Sequence, residues 1–507
     1  AMCGIIAYLG NKEAADIILK GLQLLSYRGY DSAGLAVQRP GGDLEIRKKQ
    51  GKVEVLESAC SGVDLSGTSA IGHTRWATHG DPSEANSHPH APEDLSFALV
   101  HNGIVENFPV LKTALLAKGY KFKSETDTEV LALHIHNHIK SQPSLAVEDA
   151  VAEALSVVHG AYGLALLFAN DRKLVCARMG SPLILGLGEG EYFAASDPRA
   201  FVQHTRSVVH LDDGEIAVVT PDGYSIRGLK CNLAREHSIS ELEGSLDEIS
   251  RGAYPHFMLK EIMEQPETLK QAMRGRVILS EDGHSIHLGG LDNPPKHLPA
   301  RAEDDTLLKR LNAARRIIIV ACGTSWHAGL VGEYLIQHLA RVAVHVEYAS
   351  EFEAKCPVLD PDHDVLIAIS QSGETKDTLD AIKIARAAGV VCVGICNSVG
   401  STISRDVDGG VYLHAGPEIG VASTKAFTGQ VTVFAMIAIA MGSSNGNLSK
   451  ERAQELVSEL AAVPDAVREF LSEKSDSVPH HIFHTTMPPP PRTPPPTPPF
   501  HQPHTTI

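Results

Sequence analysis

The stretch Arg316-Ile317-Ile318-Ile319-Val320-Ala321-Cys322-Gly323-Thr324-Ser325 decides how the second half of the chain folds. Ile317 to Val320 is an unbroken β-branched run, too short for a helix. A small-residue loop, 321–325, follows, and helix-compatible sequence then runs through Leu339. The pattern recurs: a strand at Val365–Ile369, a loop over 370–375, a helix through Ala388, and another strand at Val390–Cys396. Strands that are apolar without alternation are buried on both faces. Alternating with helices, they predict a doubly wound parallel sheet. Its two loops, Cys322-Gly323-Thr324-Ser325 and Ser370-Gln371-Ser372-Gly373-Glu374-Thr375, fall where a strand ends and a helix begins. Ligands bind at that edge, and a helix N-terminus suits a phosphate dianion. The chain has neither a Walker lysine nor a GxGxxG, which favours a small phosphate monoester over a nucleotide. The same serines and threonines also suit plain helix capping, and the residues alone leave both readings open.

Working outward, residues 251–445 form this zone, with helical segments near 256–275. Upstream, residues 3–240 read mostly as short strands: Ile5–Leu9, Gly34–Val37, Phe97–Val100, Leu164–Phe168, Leu174–Ala177 and Ile216–Val219. A few helices intervene. Ala14, Ile17, Ile18, Leu22 and Leu25 recur at helical spacing, and Thr126-Asp127-Thr128-Glu129 opens a second helix as a capping box. Layered sheets flanked by helices are expected. The polar stretch 241–250 reads as a linker, and Glu451–Leu471 as a helix. From Met487 to Pro503, ten of seventeen residues are proline, so polyproline II or disorder is expected over 477–507.

The chain has 507 residues, 43% hydrophobic and 21% charged, which predicts several globular units. Lys plus Arg is 45 against 61 for Asp plus Glu, a formal charge of −16. That balance argues against a nucleic-acid or anionic-membrane partner. The longest apolar run, near Val431–Met441, is too short to span a bilayer and reads as a buried helix. The start shows no secretory signal, and the eight cysteines contain no CxxC pair, so a reducing cytoplasm is the expected location and a zinc ribbon is not expected. His134 and His138 stand i, i+4 on one helix, with His136 between. No third ligand is evident, so the partly exposed face of a helix is the expected reading and no metal is assigned.

Chemistry gathers near the amino terminus. Cys3 alone means little. Ser26-Tyr27-Arg28-Gly29-Tyr30-Asp31-Ser32, His73-Thr74-Arg75-Trp76-Ala77-Thr78-His79-Gly80 and His101-Asn102-Gly103 change its weight. A thiol that attacks an amide carbonyl needs fixed donors for the oxyanion. An Asn amide and a Gly N–H at a strand end supply two.

The segments CGII, SYRGYDSAG, HTRWATHG, NSHPH and HNGIVEN resemble the glutaminase half of the glutamine–fructose-6-phosphate aminotransferase family. CGTSWHAG, ISQSGET and EIGVASTKAFT are similar to that family's first sugar-isomerase (SIS) domain. The resemblance implies an α+β and α/β multidomain chain: an amino-terminal-nucleophile αββα glutaminase (3–240), then a doubly wound SIS domain (251–445). It implies that Cys3 is the nucleophile and that its own α-amine is the base. An α-amine pKa of about 7.7–8.0, against about 10.4 for lysine, suits that role. Asn102 and Gly103 then form the oxyanion hole. Arg75 grips the glutamine carboxylate, Asp127 answers its ammonium, Thr78 and His79 line the pocket, Trp76 gates ammonia, and Arg28 lies near the nucleophile. Ser325, Ser370, Gln371, Ser372 and Thr375 cradle the phosphate of fructose 6-phosphate, with Thr324, Val421 and Ser423 beside the sugar. No cofactor is implied, and family members are usually dimers through the SIS half.

Both ends depart from the family pattern. Ala1 and Met2 precede Cys3; their removal is expected to expose the α-amine, and their retention to abolish activity. The resemblance covers roughly 3–472, where family members continue through a second SIS domain carrying further acid–base residues. Residues 446–476 are expected to begin that domain, and the tail reads as out-of-frame translation. The expectation is an intact glutaminase with a weak or absent synthase step. Bacterial-type organisation follows from the lack of long loop insertions. A glutaminase with a vestigial sugar domain and a non-catalytic fructose-6-phosphate sensor are the alternatives.

Overall fold

The computed structural model describes residues 3–26, 29–76, 80–230, 233–235, 237–242, 252–280, 283–420 and 422–473. The expectations for Ala1, Met2, the linker core and the proline-rich tail lie outside the described residues.

Up to Glu241 the strands are β1 (Gly4–Leu9), β2 (Ser32–Gln38), β3 (Leu44–Gln50), β4 (Ser69–Arg75), β5 (Phe97–Val105), β6 (Gly160–Phe168), β7 (Leu174–Met179), β8 (Ile184–Gly188), β9 (Glu191–Ala195), β10 (Ser207–His210), β11 (Glu215–Thr220), β12 (Gly223–Gly228) and β13 (Ser240–Glu241). They form two antiparallel sheets, ordered β13-β10-β8-β9-β1-β4-β2-β3 and β12-β11-β7-β6-β5. Successive strand side chains point to opposite faces, so a strand apolar at every position serves two layers. Ile5, Ala7 and Leu9 of β1 meet Ala98 and Val100 of β5 between the sheets. Ile6 and Tyr8 face the helices Ala14–Leu24 and Val53–Cys60. Phe97 and Leu99 face Phe108–Ala117, Asp127–Ser141 and Val147–Leu155. The outcome is the αββα sandwich.

In the second half β14 (Val277–Ser280) and β15 (Gly283–Ile286) form a hairpin. β16 (Arg316–Ala321), β17 (Ala343–Tyr348), β18 (Asp364–Ser370), β19 (Val391–Cys396) and β20 (Gly409–Tyr412) form a parallel sheet ordered β17-β16-β18-β19-β20. Ile317, Ile319 and Ile367 pack with Ile336 and Phe434 of the helices Gly323–Leu339 and Lys425–Ser444. Ile318, Val320 and Leu366 pack with Leu379 and Ile382 of Lys376–Ala387 on the other face. The sheet is doubly wound, as the apolar runs predict. The run Val431–Met441 lies in Lys425–Ser444, a helix long and apolar enough to cross a membrane by composition, but mostly buried inside the fold.

Several boundaries differ from the expectations. β17 and β20 were not anticipated. They are edge strands, and Ala343-Val344-His345-Val346-Glu347-Tyr348 alternates with polar residues because part of it faces solvent. The helix after β16 starts at Gly323, so Thr324 and Ser325 occupy its first turn rather than a loop. Glu241 belongs to β13, paired with β10, rather than to a linker. Only half of the capping box forms. Thr126 Oγ1 accepts from Glu129 N at 3.2 Å, but the Glu129 carboxylate accepts from Lys123 N and Ser124 N, which leaves it no need to reach back to Thr126.

The two halves touch through charge. Buried Arg178 of β7 donates to Thr402 Oγ1 at 3.0 Å, and Lys383 pairs with Asp213 at 3.1 Å.

Candidate active site

Cys3 immediately precedes β1, and the pairing Gly4↔Thr74 sets it beside the end of β4. Trp76 N–H donates to Cys3 Sγ at 3.2 Å, and the thiol lies 3.6 Å from Trp76 O. A Cβ on Gly4 would lie 2.6 Å from Thr74 Oγ1, so the close approach of β1 and β4 requires glycine there. Across the sandwich, Asn102 Nδ2 donates to Cys3 O at 2.8 Å. Asn102 and Gly103 are not beyond a strand end, as expected, but within β5, where Gly103 pairs with Tyr162. Gly103 has φ +129°, and a Cβ would lie 2.0 Å from Ala161 O; only glycine fits.

Arg75 ends β4, is buried, and donates from Nη2 to Gly80 O at 3.2 Å. Trp76 meets the Tyr30 ring edge-on at 5.1 Å. Asp127 is buried at the start of its helix, with Oδ2 accepting from Val105 N at 2.8 Å. Cys3, Trp76 and Asn102 are thus brought into direct contact. Arg28, Thr78 and His79 lie outside the described residues.

Four histidines behind Asn102 received no role from the sequence. His73, His88, His90 and His101 are all buried. His73 and His88 stack with centroids 4.0 Å apart, and His88 meets His90 edge-on at 5.0 Å. His101 Nδ1 lies 2.9 Å from Thr128 Oγ1, and His90 Nε2 3.0 Å from Thr126 Oγ1. Burial lowers the pKa of each, that of His73 to about 3 and those of His88 and His90 well below the usual histidine value. The signal was present in HTRWATHG, NSHPH and HNG. What it lacked was the face-to-face packing of the two sheets, which brings the three segments together.

The histidines of the helix Asp127–Ser141 also differ from expectation. His134 and His136 are buried rather than half-exposed. His134 Nε2 lies 3.1 Å from Ala154 O, and His136 Nε2 lies 3.1 Å from Asp94 Oδ2. Asp212, Glu215 and His237 approach one another closely enough to hold a metal. Fully buried Glu215, however, already accepts from Asp212 N, Arg235 and His237, so its charge is met by protein.

In the second half, Ser370 ends β18 and organises the loop after it. Its Oγ accepts from Gly373 N at 3.0 Å and lies 3.0 Å from Thr375 Oγ1 and 3.4 Å from Ser372 Oγ. Ser372 Oγ accepts from Glu374 N at 3.1 Å. The hydroxyls therefore brace the loop, and Thr375 makes no side-chain cap on the helix that follows. Ser325 is buried and its Oγ accepts from Gln430 Nε2 at 2.9 Å. Thr324 is exposed beside it, Gln371 is half-buried, and Ser423 donates to Glu418 at 2.8 Å. Val421 lies outside the described residues. Glu374 accepts from Thr402 N and Thr402 Oγ1 at 2.8 and 2.7 Å, and Thr402 also receives Arg178.

An αββα sandwich with a cysteine at the head of a central strand, joined to a doubly wound sheet with a hydroxyl-rich loop, defines a glutamine amidotransferase carrying a sugar-isomerase domain. Family models agree: a glutamine amidotransferase domain matches residues 58–225 and a SIS domain matches 310–440. The chain belongs to the glutamine–fructose-6-phosphate aminotransferase (isomerizing) family of enzymes. It is 49% identical over 481 residues to the protein of that name from Chlorobaculum tepidum, spanning 94% of this chain and 75% of the relative. The Bacteroides thetaiotaomicron protein of the same name is 46% identical over 93% of this chain and 74% of the relative. Among solved structures, the C-terminal domain of glucosamine-fructose-6-phosphate aminotransferase from Francisella tularensis is 32% identical, with a TM-score of 0.40, over 46% of this chain and 61% of that one. The curated relatives are named for the whole reaction, and the expected impairment of the synthase step finds no support in them.

Proposed function

We propose that the chain catalyses the glutamine-dependent amination of fructose 6-phosphate, with ammonia released at Cys3. The observation that carries this reading is the convergence on Cys3 of Trp76 N–H, at its Sγ, and Asn102 Nδ2, at its O, with the glycine-only backbone of Gly103 following Asn102 in β5. In the proposed reaction Cys3 Sγ bonds to the glutamine amide carbon while the α-amine takes the thiol proton. Asn102 Nδ2 and Gly103 N–H receive the oxyanion. The carbon–nitrogen bond breaks, the amine returns the proton, and ammonia leaves. Water then cleaves the thioester to glutamate and regenerates the thiol. Arg75 holds the α-carboxylate as a guanidinium fork, Asp127 the ammonium, and Arg28, Trp76, Thr78 and His79 complete the glutamine pocket. Thr324, Ser325, Ser370, Gln371, Ser372, Thr375, Val421 and Ser423 hold the sugar phosphate. The seven described cysteines are free thiols, which fits a reducing compartment. Assembly as a homodimer through the second half belongs to the same proposal.

The test is fourfold on one preparation: glutamate release from glutamine, alkylation of Cys3 by an electrophilic glutamine analogue, a thermal shift with fructose 6-phosphate, and formation of glucosamine 6-phosphate. Failure of the first two sinks the proposal. Label and glutamate without a thermal shift or amino sugar leave a glutaminase alone. A shift without label leaves a sugar-phosphate sensor.

Two substitutions separate the pockets. Arg75→Lys is expected to raise the KM for glutamine at least about tenfold with kcat little changed, because an ammonium cannot make the bidentate contact. Ser370→Ala removes the acceptor for Gly373 N–H inside the loop, leaving a buried donor unsatisfied. Fructose 6-phosphate affinity, read by calorimetry, is expected to fall at least about tenfold, with glutamine hydrolysis unaffected when no sugar is present.

A further inference from the structure

We infer that His73 is a positioning residue for glutamine hydrolysis: its Nε2–H turns the Asn102 amide so that the Nδ2 hydrogens face the Cys3 side of the site. The inference rests on the glutaminase reading above. It deepens that reading by assigning work to a residue that touches no substrate.

Two main-chain oxygens decide the geometry, because a carbonyl oxygen only accepts. Cys3 O lies 2.8 Å from one end of the Asn102 side chain, so that end must be Nδ2. His101 O lies 3.1 Å from His73 Nε2, so that nitrogen must carry a hydrogen. The same Nε2 is 3.0 Å from Asn102 Oδ1. Both ends of the Asn102 amide are then fixed, one by Cys3 O and the other by His73. The second Nδ2 hydrogen is left to the oxyanion. A flipped amide would set its oxygen against Cys3 O and its NH2 against the His73 N–H.

The histidine is itself held. It is 1% exposed, its ring stacks on His88 at 4.0 Å, and among the described residues its Nδ1 has no hydrogen-bond partner. A second proton on Nδ1 would be a buried, unpaired donor, so the ring stays neutral with its one hydrogen on Nε2. The depressed pKa of about 3, set first by burial, agrees with that state. His73 sits in β4 two residues before Arg75, and Asn102 lies in β5 of the other sheet. The contact therefore also ties the strand flanking the nucleophile to the strand bearing the oxyanion donor.

The experiment measures glutamate release by the full chain and by five variants. His73→Phe keeps a stacking ring and removes the donor; kcat is expected to fall about 10- to 100-fold, with KM within about threefold. His73→Gln, whose amide nitrogen reaches the Nε2 position, is expected to recover at least tenfold over His73→Asn, which reaches only the Nδ1 position. In an Asn102→Ala background, adding His73→Phe is expected to cost less than about threefold, because the two act as one unit. His73→Phe with kcat within twofold of the parent, equal rates for the Gln and Asn variants, or full additivity with Asn102→Ala each overturn the inference. The Gln and Asn pair keeps the test decisive if the Phe variant does not fold. A parent chain that releases no glutamate sinks the glutaminase reading instead, so the two failures are distinguishable.

Discussion

Cys3→Ala is expected to lower glutamine hydrolysis by at least about 10⁴-fold while leaving glutamine binding intact. The Cys3 thiol accepts from Trp76 N–H, and the Cys3 carbonyl accepts from Asn102 Nδ2. No other described thiol in this half can replace it. Cys60 and Cys176 are buried, and burial raises their pKa, that of Cys176 to about 12, which suppresses the reactive thiolate. Cys322, just after β16, and Cys396, at the end of β19, lie in the second half and are raised by burial as well. Cys3→Ser is expected to be nearly as slow, because an alcohol keeps its proton far above neutral pH and is a weaker nucleophile than a thiol. Glutamate release measures the loss, and a thermal shift with glutamine measures the retained binding. Residual hydrolysis above about 1% of the parent rate would remove Cys3 from the nucleophile's place.

The second large effect is acid lability. His73, His88, His90 and His101 are buried and uncharged, with folded pKa values depressed below the unfolded value of about 6.5. Between those values the unfolded chain binds protons that the folded chain cannot. Their contribution to stability is therefore complete above about pH 6.5 and is lost as pH falls, down to about 3 for His73. A site whose folded pKa lies well below the window adds a slope approaching about 1.4 kcal/mol per pH unit, so stability falls steeply between pH 6 and 5. Half-buried His210, depressed to about 4, steepens the same slope. Carboxylate protonation lies mostly below this window. Urea unfolding of the first half at pH 7, 6 and 5 checks the claim. The midpoint should drop steeply between the last two, and His88→Phe should flatten the slope by about one proton. A midpoint unchanged from pH 7 to 5 rules it out.

Particular residues divide what could be read early from what could not. The unbroken run Ile317–Val320 specified a central parallel strand, because a strand covered on both faces has no solvent side to mark with polar residues. Edge strands such as Ala343–Tyr348 carry mixed residues and escaped notice. Asn102 and Gly103 stood out in the sequence as candidate oxyanion donors, but their place inside β5 did not. The pairing Gly103↔Tyr162 comes from a strand nearly sixty residues downstream in the chain. The hydroxyl-rich loop after β18 was legible from Ser370, Ser372 and Thr375. That Ser370 braces the loop, and that Glu374 is tied through Thr402 to Arg178 of the other half, are contacts between distant segments.

By itself, the order of amino acids determined that this protein has two layered architectures and a cysteine-headed strand, because local periodicity and turn chemistry are written residue by residue. Only the tertiary structure decided which groups meet. His73, His88 and His101 stand far apart along the chain, yet they become one buried uncharged cluster behind Asn102 once β4 and β5 face each other. Hydrogen-bond partners, burial and proton affinity belong to such assembled surroundings, and no single segment carries them.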